Sequence, residues 1–509
     1  MVGQSVYNYS FSRKDLAITM AHKCAVRVGD DTLTIDPNLL FQRFAALTNQ
    51  QDDVSKLEVF SYELCAYPAA LFESPVLPRL ANKASLSDYL WTLLDKDVHV
   101  QAFQFHDNTE FVMDGGALLH KIPWQKSVTY HELCQIYYSY IEKNYGTKVT
   151  VVFDGYQSGP GTKDATHLPR GAKHCQNILF EPEMKFIGTK DDFLANEPNK
   201  QRFINLLSQH LEEAGVTVQH AAADADTLIV KTAVEYAKTS ETCIIGDDTD
   251  LLVLAVHSVY KTGGLKNVYI KNGAQRKIKS KRIWPIQILL AKLGDLCKFI
   301  LFAHAFLGCD TTSHVYGFGK PQVFRMLQDN DSLKSAAETF LRKDANQEDI
   351  AKATEICFLL LYKAPASIKT LNELRCAKFI EKVSSKSTAV TPQSLPPTSA
   401  AAKHHGWRVY YQIMAWEDED MGLNAEEWGW HLRDGKLLPV PTDHPPAPKT
   451  LLKIIHCSCK GQCDKNNCSC RKHGLQCSYA CRNCKGTTCD NQQTLDFDDE
   501  VFDIDVDQY

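Results

Sequence analysis

The chain has 509 residues, of which 44% are apolar, and this is enough for about three domains with buried cores. Its 56 basic and 61 acidic residues give a net charge of −5, so no overall attraction to nucleic acid or to an anionic membrane is expected. No basic segment followed by an apolar run opens the chain, and the longest nearly apolar stretch, 299–309, is too short to span a bilayer. These features predict a nuclear or cytoplasmic protein that is neither secreted nor embedded in a membrane.

Short β-rich runs alternate with helical stretches from Glu110 onward, which predicts an α/β fold with a mainly parallel sheet flanked by helices. The predicted strands carry the runs FVMD, VTVVFD, VTVQ and TCIIGDD. Helices are predicted at 130–144, 200–214 and 224–238, with a mostly helical continuation at 283–383.

Composition predicts six segments along the chain. They are an N-terminal extension of unassigned role (1–105), the α/β domain (106–383), a Ser- and Pro-rich linker (384–400), a Trp- and Pro-rich connecting segment (401–449), a cysteine-rich module (450–491) and an acidic tail expected to be disordered (492–509). The basic run 276–282, RKIKSKR, is predicted to contact the DNA backbone or to act as a nuclear import signal, with a solvated loop as the alternative.

Seven aspartates stand at or near the ends of predicted strands or at the start of a predicted helix. Carboxylates at the carboxyl ends of parallel strands meet at one edge of the sheet, and so many would repel one another unless cations neutralised them. Hard oxygen ligands favour Mg²⁺ or Mn²⁺, and two such ions about 4 Å apart promote phosphodiester hydrolysis. Any one of these aspartates alone is more simply explained as a helix cap or turn former. The seven are Asp114, Asp154, Asp224, Asp226, Asp248, Asp250 and Asp310.

Five motifs resemble, in chain order, those of the flap endonuclease family of structure-specific 5′ nucleases, a branch of the PIN-like fold: VMDG at Asp114, FDG at Asp154, DAD at 224–226, DTD at 248–250 and LGCD at 307–310. The resemblance covers roughly 111–327 and implies a Mg²⁺- or Mn²⁺-dependent nuclease with two metal ions. In flap endonucleases the position of the DAD motif usually carries two glutamates. The chains of these enzymes also begin close to their first acidic residue. Here more than 100 residues precede Asp114.

The resemblance also implies residues that bind the DNA. Lys163 and Arg170 have the spacing of a family pair that reaches the scissile phosphate from a helical gateway. Gly317 and Gly319, in the run YGFGK that ends with Lys320, match the Gly-x-Gly of the family's DNA clamp, where backbone amides contact phosphate.

Nine of the 18 cysteines lie between 457 and 489, a segment too short to bury an apolar core. Thiolates that bind zinc would supply the missing folding energy, and about three zinc ions sharing three bridging thiolates would satisfy nine ligands. Disulfides are the alternative, which an intracellular chain disfavours. The ligands are Cys457, Cys459, Cys463, Cys468, Cys470, Cys477, Cys481, Cys484 and Cys489.

The cysteine spacing resembles the tesmin-type CXC domain, a small zinc-stapled unit that binds DNA. The zinc-loaded module carries a net charge of only about +2, so few phosphate contacts are expected. The family's minor-groove tyrosine is replaced by Asn467, which leaves Arg471 and Lys472 as the nearest DNA-binding candidates. A role in protein interaction is the alternative for this module.

Together these features predict a metal-dependent endonuclease or 5′ exonuclease that a zinc module tethers to DNA. The alternative is a non-catalytic DNA-binding or scaffold protein with a degenerate nuclease domain. An aspartate-dependent phosphatase is less consistent, because no DxDx[TV] nucleophile motif follows the first predicted strand of the α/β domain.

Overall fold

The structure of the chain is a computed structural model. It describes residues 24–28, 31–48, 56–94, 105–146, 148–155, 161–164, 176–222, 224–272, 282–385, 390–417, 422–452, 454–460, 462–465, 467–473, 475–478 and 481–491. Within these ranges no helix is both long and apolar enough to cross a membrane.

Strands and helices alternate through the middle of the chain. The strands are β1 (Cys24–Val28), β2 (Asp31–Ile35), β3 (Phe72–Ser74), β4 (Leu77–Pro78), β5 (Glu110–Asp114), β6 (Val149–Phe153), β7 (Thr217–His220), β8 (Thr242–Ile245), β9 (Val268–Lys271), β10 (Ile283–Pro285), β11 (Trp430–Arg433) and β12 (Lys436–Pro439). The helices are α1 (Pro37–Thr48), α2 (Lys56–Val59), α3 (Ala84–Thr92), α4 (Gly115–Lys121), α5 (Tyr130–Tyr145), α6 (Lys190–Leu194), α7 (Glu197–Glu213), α8 (Ala225–Ala237), α9 (Thr249–Thr262), α10 (Ile286–Leu293), α11 (Ile300–Phe306), α12 (Lys320–Asp329), α13 (Asp331–Thr339), α14 (Gln347–Leu361), α15 (Leu371–Ser385), α16 (Ser399–Trp416), α17 (Lys449–Leu452) and α18 (Ser469–Lys472).

The chain forms two compact units. The sheet unit comprises Leu71–Ala366 and Ala401–Pro441, and the cysteine unit comprises Met1–Ala70, Ser367–Ala400 and Thr442–Tyr509. This division differs from the segments expected from composition, because the N-terminal extension and the Trp-rich segment are each shared between the two units. The pattern of polar and apolar residues indicates which stretches of the chain are exposed. It does not reveal which distant segment a buried stretch packs against.

A six-stranded sheet forms the centre of the sheet unit, in the order β10-β9-β8-β5-β6-β7. All neighbouring strands are parallel except β9 and β10, which are antiparallel. The α/β class with a mainly parallel sheet is therefore confirmed. Because the chain leaves β5 toward β6 on one side and returns to β8 on the other, the order reverses at β5, where open α/β sheets leave a crevice at the carboxyl ends of their strands.

Helices cover both faces of this sheet, which explains why β6 and β8 are apolar and fully buried instead of alternating in polarity. On one face α4, α5 and α7 form a core around Phe153, Tyr137 and Phe203. On the other face α8 packs across β5, β6 and β8. These helices fix the positions of the strand ends.

The Trp-rich segment contributes the long helix α16 to the sheet unit. His405 Nε2 lies 2.9 Å from the carbonyl oxygen of Phe306, at the end of α11. Arg408 is buried and donates to the carbonyls of Gly429 and Val440, at 3.1 and 2.7 Å. The segment expected to connect domains therefore supports the helix that precedes the LGCD motif.

In the cysteine unit a buried ion pair joins chain segments that are far apart in sequence. A nitrogen of the Arg375 guanidinium lies 3.3 Å from the carboxylate of Glu63, and both side chains are almost fully buried. Glu63 also accepts a 2.8 Å hydrogen bond from the backbone amide of Thr398. The predicted linker 384–400 is thus packed against this pair where it is described, with Leu395 fully buried.

We expect Glu63→Ala to destabilise the protein by about 3–5 kcal/mol, because it leaves the buried Arg375 charge without its carboxylate. Urea unfolding followed by circular dichroism measures the change. Glu58→Ala removes an exposed carboxylate from the same region and is the matched control, expected to leave the free energy of unfolding nearly unchanged. Equal stability of the two variants would contradict this assignment.

Candidate metal and DNA site

Four of the seven aspartates bond to the first turn of a helix beside the carboxyl edge of the sheet. Asp114 ends β5 and accepts a 3.0 Å hydrogen bond from the Ala117 amide, while Asp248 and Asp224 are the N-caps of α9 and α8. Asp154, one residue beyond β6, accepts from the Ala225 amide at 3.1 Å. The capping role and the metal-binding role therefore do not exclude each other, since each carboxylate keeps lone pairs beyond those that the helix amides use.

Glycines of the motifs allow the segments of the site to approach closely. A Cβ atom at Gly155, in the FDG motif, would lie 2.0 Å from the carbonyl oxygen of Ala221, so only glycine fits between β6 and the turn before α8. A Cβ at Gly116 would lie 3.2 Å from Asp114 and 3.8 Å from Asp154, which shows that these two carboxylates flank the start of α4.

The acidic residues form one cluster in which the carboxylates outnumber the positively charged side chains near them. One oxygen from each of Asp226, Asp248 and Asp250 lies within 4.8 Å of the others, a set that fits a divalent cation. Burial and the Asp154 carboxylate raise the pKa of Asp114 to about 6. Burial and neighbouring carboxylates also raise the pKa of Asp226 and of Asp248. Such shifts indicate repulsion that a bound cation would relieve.

A buried chain of three side chains holds Asp250. The Nε2 atom of His304 lies 2.7 Å from Asp250 Oδ1, and Lys320 Nζ lies 2.7 Å from His304 Nδ1. Burial and the Lys320 charge lower the pKa of His304 to about 4, so the imidazole is neutral. Since an ammonium can only donate, Nδ1 must accept and Nε2–H must donate to Asp250. Despite its burial, His304 and Lys83 hold the pKa of Asp250 below its ordinary value, so Asp250 stays ionised.

We expect His304→Leu to weaken the binding of Mn²⁺ by about 10–100-fold, the usual effect of losing a side chain that orients a metal ligand. His304→Gln should retain most of the affinity, because its amide also offers one donor and one acceptor. Calorimetric titration of the two variants with Mn²⁺ in the absence of DNA measures the difference. Wild-type affinity in the leucine variant would refute the orienting role of His304.

Lys163 of the predicted gateway reaches the cluster and pairs with Asp224. Its loop is fixed by the next residue, Asp164, whose carboxylate accepts hydrogen bonds of 3.0 Å from the amides of Gly161 and Leu437. Leu437 belongs to β12, so the segment after α16 also supports the site. Arg170 and the basic run from 276 to 281 lie outside the described residues.

Lys83 enters the cluster from the chain that precedes the first acid. Its Nζ atom lies 2.9 Å from Asp250, 2.8 Å from Asp310 and 3.6 Å from Asp248. Burial opposes its charge, but these three carboxylates raise the pKa of the lysine above its ordinary value. Lys83 and His304 are the site residues that motif comparison misses, because neither belongs to a motif and no local pattern marks them.

The predicted clamp follows the LGCD motif. Gly317 has a φ of 84°, a conformation that favours glycine, and Gly319 is the N-cap of α12. The Lys320 side chain is turned inward and only 1% exposed, so its ammonium serves His304 in this structure. Lys320 therefore links the start of α12 to Asp250 through His304.

Beside Asp114 opens a cavity of about 270 Å³, bounded by α4, α5 and the turn after β8. His120, Lys121 and Tyr140 line it together with Asp114. A cation, an aromatic ring and an imidazole therefore lie next to the carboxylate cluster, with the Lys121 ammonium over the Tyr140 ring, 5.1 Å from its centroid.

The nine cysteines of the module are arranged as overlapping sets of metal ligands. Four sets of four sulfurs, each within 4.8 Å, include all nine, and Cys457 and Cys477 each occur in three of the sets. The Sγ atom of Cys457 lies 3.8 Å from the Sγ atoms of Cys463 and Cys477. The Sγ atoms of Cys468 and Cys477 are also 3.8 Å apart. Tetrahedral zinc with Zn–S bonds of about 2.3 Å separates its sulfurs by roughly this distance, whereas a disulfide needs about 2 Å. None of the nine is in a disulfide, so the donor set fits zinc.

The cysteine module shares its core with α1 from the N-terminal extension. Phe41 and Phe44 pack in one buried cluster with the cysteines. Arg43 donates to the carbonyl of Ile455 at 2.8 Å and to the sulfur of Cys470 at 3.0 Å. The helix thus supplies apolar surface and a buried positive charge to the short module. On the short helix α18, the predicted DNA-binding residues Arg471 and Lys472 are exposed.

No family model and no curated protein matches this chain. Among solved structures, the chain is similar to the catalytic core of Rad2 in complex with DNA substrate, with a TM-score of 0.30 and 13% identity over 52% of this chain and 76% of that chain. It is similar to flap endonuclease-1 from Methanococcus jannaschii, with a TM-score of 0.30 and 15% identity over 60% and 93% of the two chains. A T5 5′-exonuclease gives a TM-score of 0.29 and 11% identity over 61% and 91%.

Proposed function

We propose that the protein is a nuclease that hydrolyses DNA phosphodiester bonds with Mg²⁺ or Mn²⁺. One observation carries this proposal: seven aspartates from five motifs form a single cluster at the sheet's carboxyl edge, where the strand order reverses. A structural role in capping would require neither their convergence nor the buried His304 that holds Asp250 ionised. Bound divalent cations would supply Lewis acidity and an activated water.

The chain's own residues would position the DNA and hold the charge of the site. The seven carboxylates would ligate the cations, and the resemblance to flap endonucleases implies two metal ions. His304 would set the geometry of Asp250. Lys163, at the mouth of the cluster, would contact the scissile phosphate, and Arg170 would share that task. Backbone amides at Gly317 and Gly319 would bind a phosphate of the duplex. The cavity beside Asp114 offers room for a displaced nucleotide.

We also propose that the cysteine unit binds about three zinc ions and tethers the nuclease to DNA. The sulfur separations support the zinc, and the exposed Arg471 and Lys472 support the DNA contact. The small positive charge of the module suggests an accessory affinity that falls with rising salt. A DNA substrate favours a nuclear location.

The function is tested with the purified zinc-loaded chain and end-labelled flap, nicked and single-stranded DNA. We expect cleavage with Mn²⁺ or Mg²⁺, none when both ions are omitted, and a preference among the three substrates. DNA binding without cleavage under every metal condition would favour the non-catalytic DNA-binding alternative.

A further inference from the structure

We propose that Lys83 is an internal counter-ion of the acidic cluster: its ammonium occupies the end formed by Asp248, Asp250 and Asp310, and a divalent cation binds there only after displacing it. The proposal rests on the proposed function, because it concerns the order in which the cations enter the same site. It assigns a task to the part of the N-terminal extension that belongs to the sheet unit.

The first argument is the contact geometry. Lys83 Nζ lies within 3.6 Å of three carboxylates that belong to two motifs, DTD and LGCD, and its side chain is only 21% exposed. Asp248 and Asp250 also belong to the set of oxygens that fits a divalent cation. An ammonium and a metal ion would therefore compete for the same lone pairs, and both cannot be fully bound there at once.

The second argument is that the backbone around Lys83 is firmly anchored. Before it, the carbonyl of Arg79 accepts a 2.7 Å hydrogen bond from the amide of His314, in the loop after the LGCD motif. A Cβ atom at Gly308 of that motif would lie 3.0 Å from Ala81, so the two segments run side by side.

The chain after Lys83 is anchored as well, because α3 starts directly after this residue and packs on the sheet unit. Leu86 and Leu90 are fully buried. Trp91 meets Trp284 of β10 edge to face, with ring centroids 4.9 Å apart. The start of a packed helix therefore holds Lys83 beside the acids. In this it differs from a surface lysine whose flexible side chain folds onto nearby charge.

The third argument is charge. The seven carboxylates pair directly with two described lysines, Lys83 and Lys163, and the ammonium of Lys320 lies behind His304. This leaves the cluster strongly negative, so a first divalent cation is bound without displacing either lysine. A second cation would have to replace the interactions that Lys83 makes with three carboxylates, and this lowers its apparent affinity.

Mn²⁺ titration of the zinc-loaded full chain without DNA tests the proposal, by calorimetry and by electron paramagnetic resonance of free Mn²⁺. We expect the wild type to bind one equivalent tightly and a second at least about 10-fold more weakly, on the scale of effects that neighbouring groups have on metal affinity. Lys83→Met should tighten the second equivalent by a similar factor, and Lys83→Arg should resemble the wild type. Lys298→Met, which removes a lysine paired with the exposed Glu338, is the control and should change nothing.

Two equivalents of similar affinity in the wild type would overturn the role of Lys83 and leave the proposed nuclease intact. An unchanged second equivalent in Lys83→Met would do the same. If none of the proteins bound Mn²⁺, the proposed metal site would fail together with the inference. Because two equivalents of similar affinity in the wild type already overturn the inference, the test does not rest solely on the folding of Lys83→Met.

Discussion

Asp250→Asn should reduce DNA cleavage by about 1,000-fold or more, a loss of roughly 4 kcal/mol of transition-state stabilisation. Asp250 takes part in three interactions of the site. It accepts a hydrogen bond from His304, pairs with Lys83 and belongs to the set of three carboxylates that fits a cation. The asparagine amide is neutral and would direct a donor at a cation or at Lys83. Single-turnover cleavage of labelled DNA at saturating Mn²⁺ measures the loss.

The control is Asp331→Asn, which removes an aspartate that is 95% exposed and pairs only with Lys334 among the described contacts. It should cleave at the wild-type rate. Both variants should bind DNA as the wild type does, because the clamp and the cysteine unit are unchanged. If Asp250→Asn cleaved within a few-fold of Asp331→Asn, the cluster would not be the catalytic site.

Cys477→Ser should remove most of the zinc from the cysteine unit and unfold it. Cys477 occurs in three of the four overlapping ligand sets, so replacing its thiolate disturbs more than one coordination shell. Structural zinc supplies on the order of 10–16 kcal/mol of folding free energy in small cysteine modules. Zinc per chain, measured by mass spectrometry of the metal, should fall well below the value of about three expected from nine thiolates.

Cys376→Ser tests whether the effect is specific to the module. Cys376 belongs to the same unit but lies outside the cysteine module, and its substitution should leave the zinc content unchanged. The nuclease activity of Cys477→Ser on short DNA at low salt should persist, since the acidic cluster is in the other unit. A wild-type zinc content in Cys477→Ser would contradict the cluster of shared thiolates.

The sequence alone predicts the part of the fold that depends on local pattern. The strands that end at Asp114 and Asp154 and the helices α5, α7 and α8 follow from periodicity, because both faces of the sheet are buried and each helix has an apolar stripe. The clustering of the nine cysteines is also predictable, since their spacing is typical of metal ligands. The acids are predictable as well, because a helix-cap position directly after a strand places an aspartate in a recognisable sequence context.

What the sequence does not reveal is contact between distant segments. Lys83 precedes the first motif by thirty-one positions, and His304 sits in an apolar helix where a histidine looks like a core residue. Their roles depend on which side chains they meet, and periodicity does not encode that. The same holds for α16 and α1, each of which supports a site that was predicted without it.

The most direct test of the central claim is cleavage of labelled branched DNA at saturating Mn²⁺ by the wild type and by Asp154→Ala/Asp248→Ala, purified in parallel. We predict cleavage by the wild type, none by the double variant, and equal DNA binding by both. Equal cleavage by the two proteins, or binding without cleavage by the wild type, would contradict a nuclease site built on these aspartates.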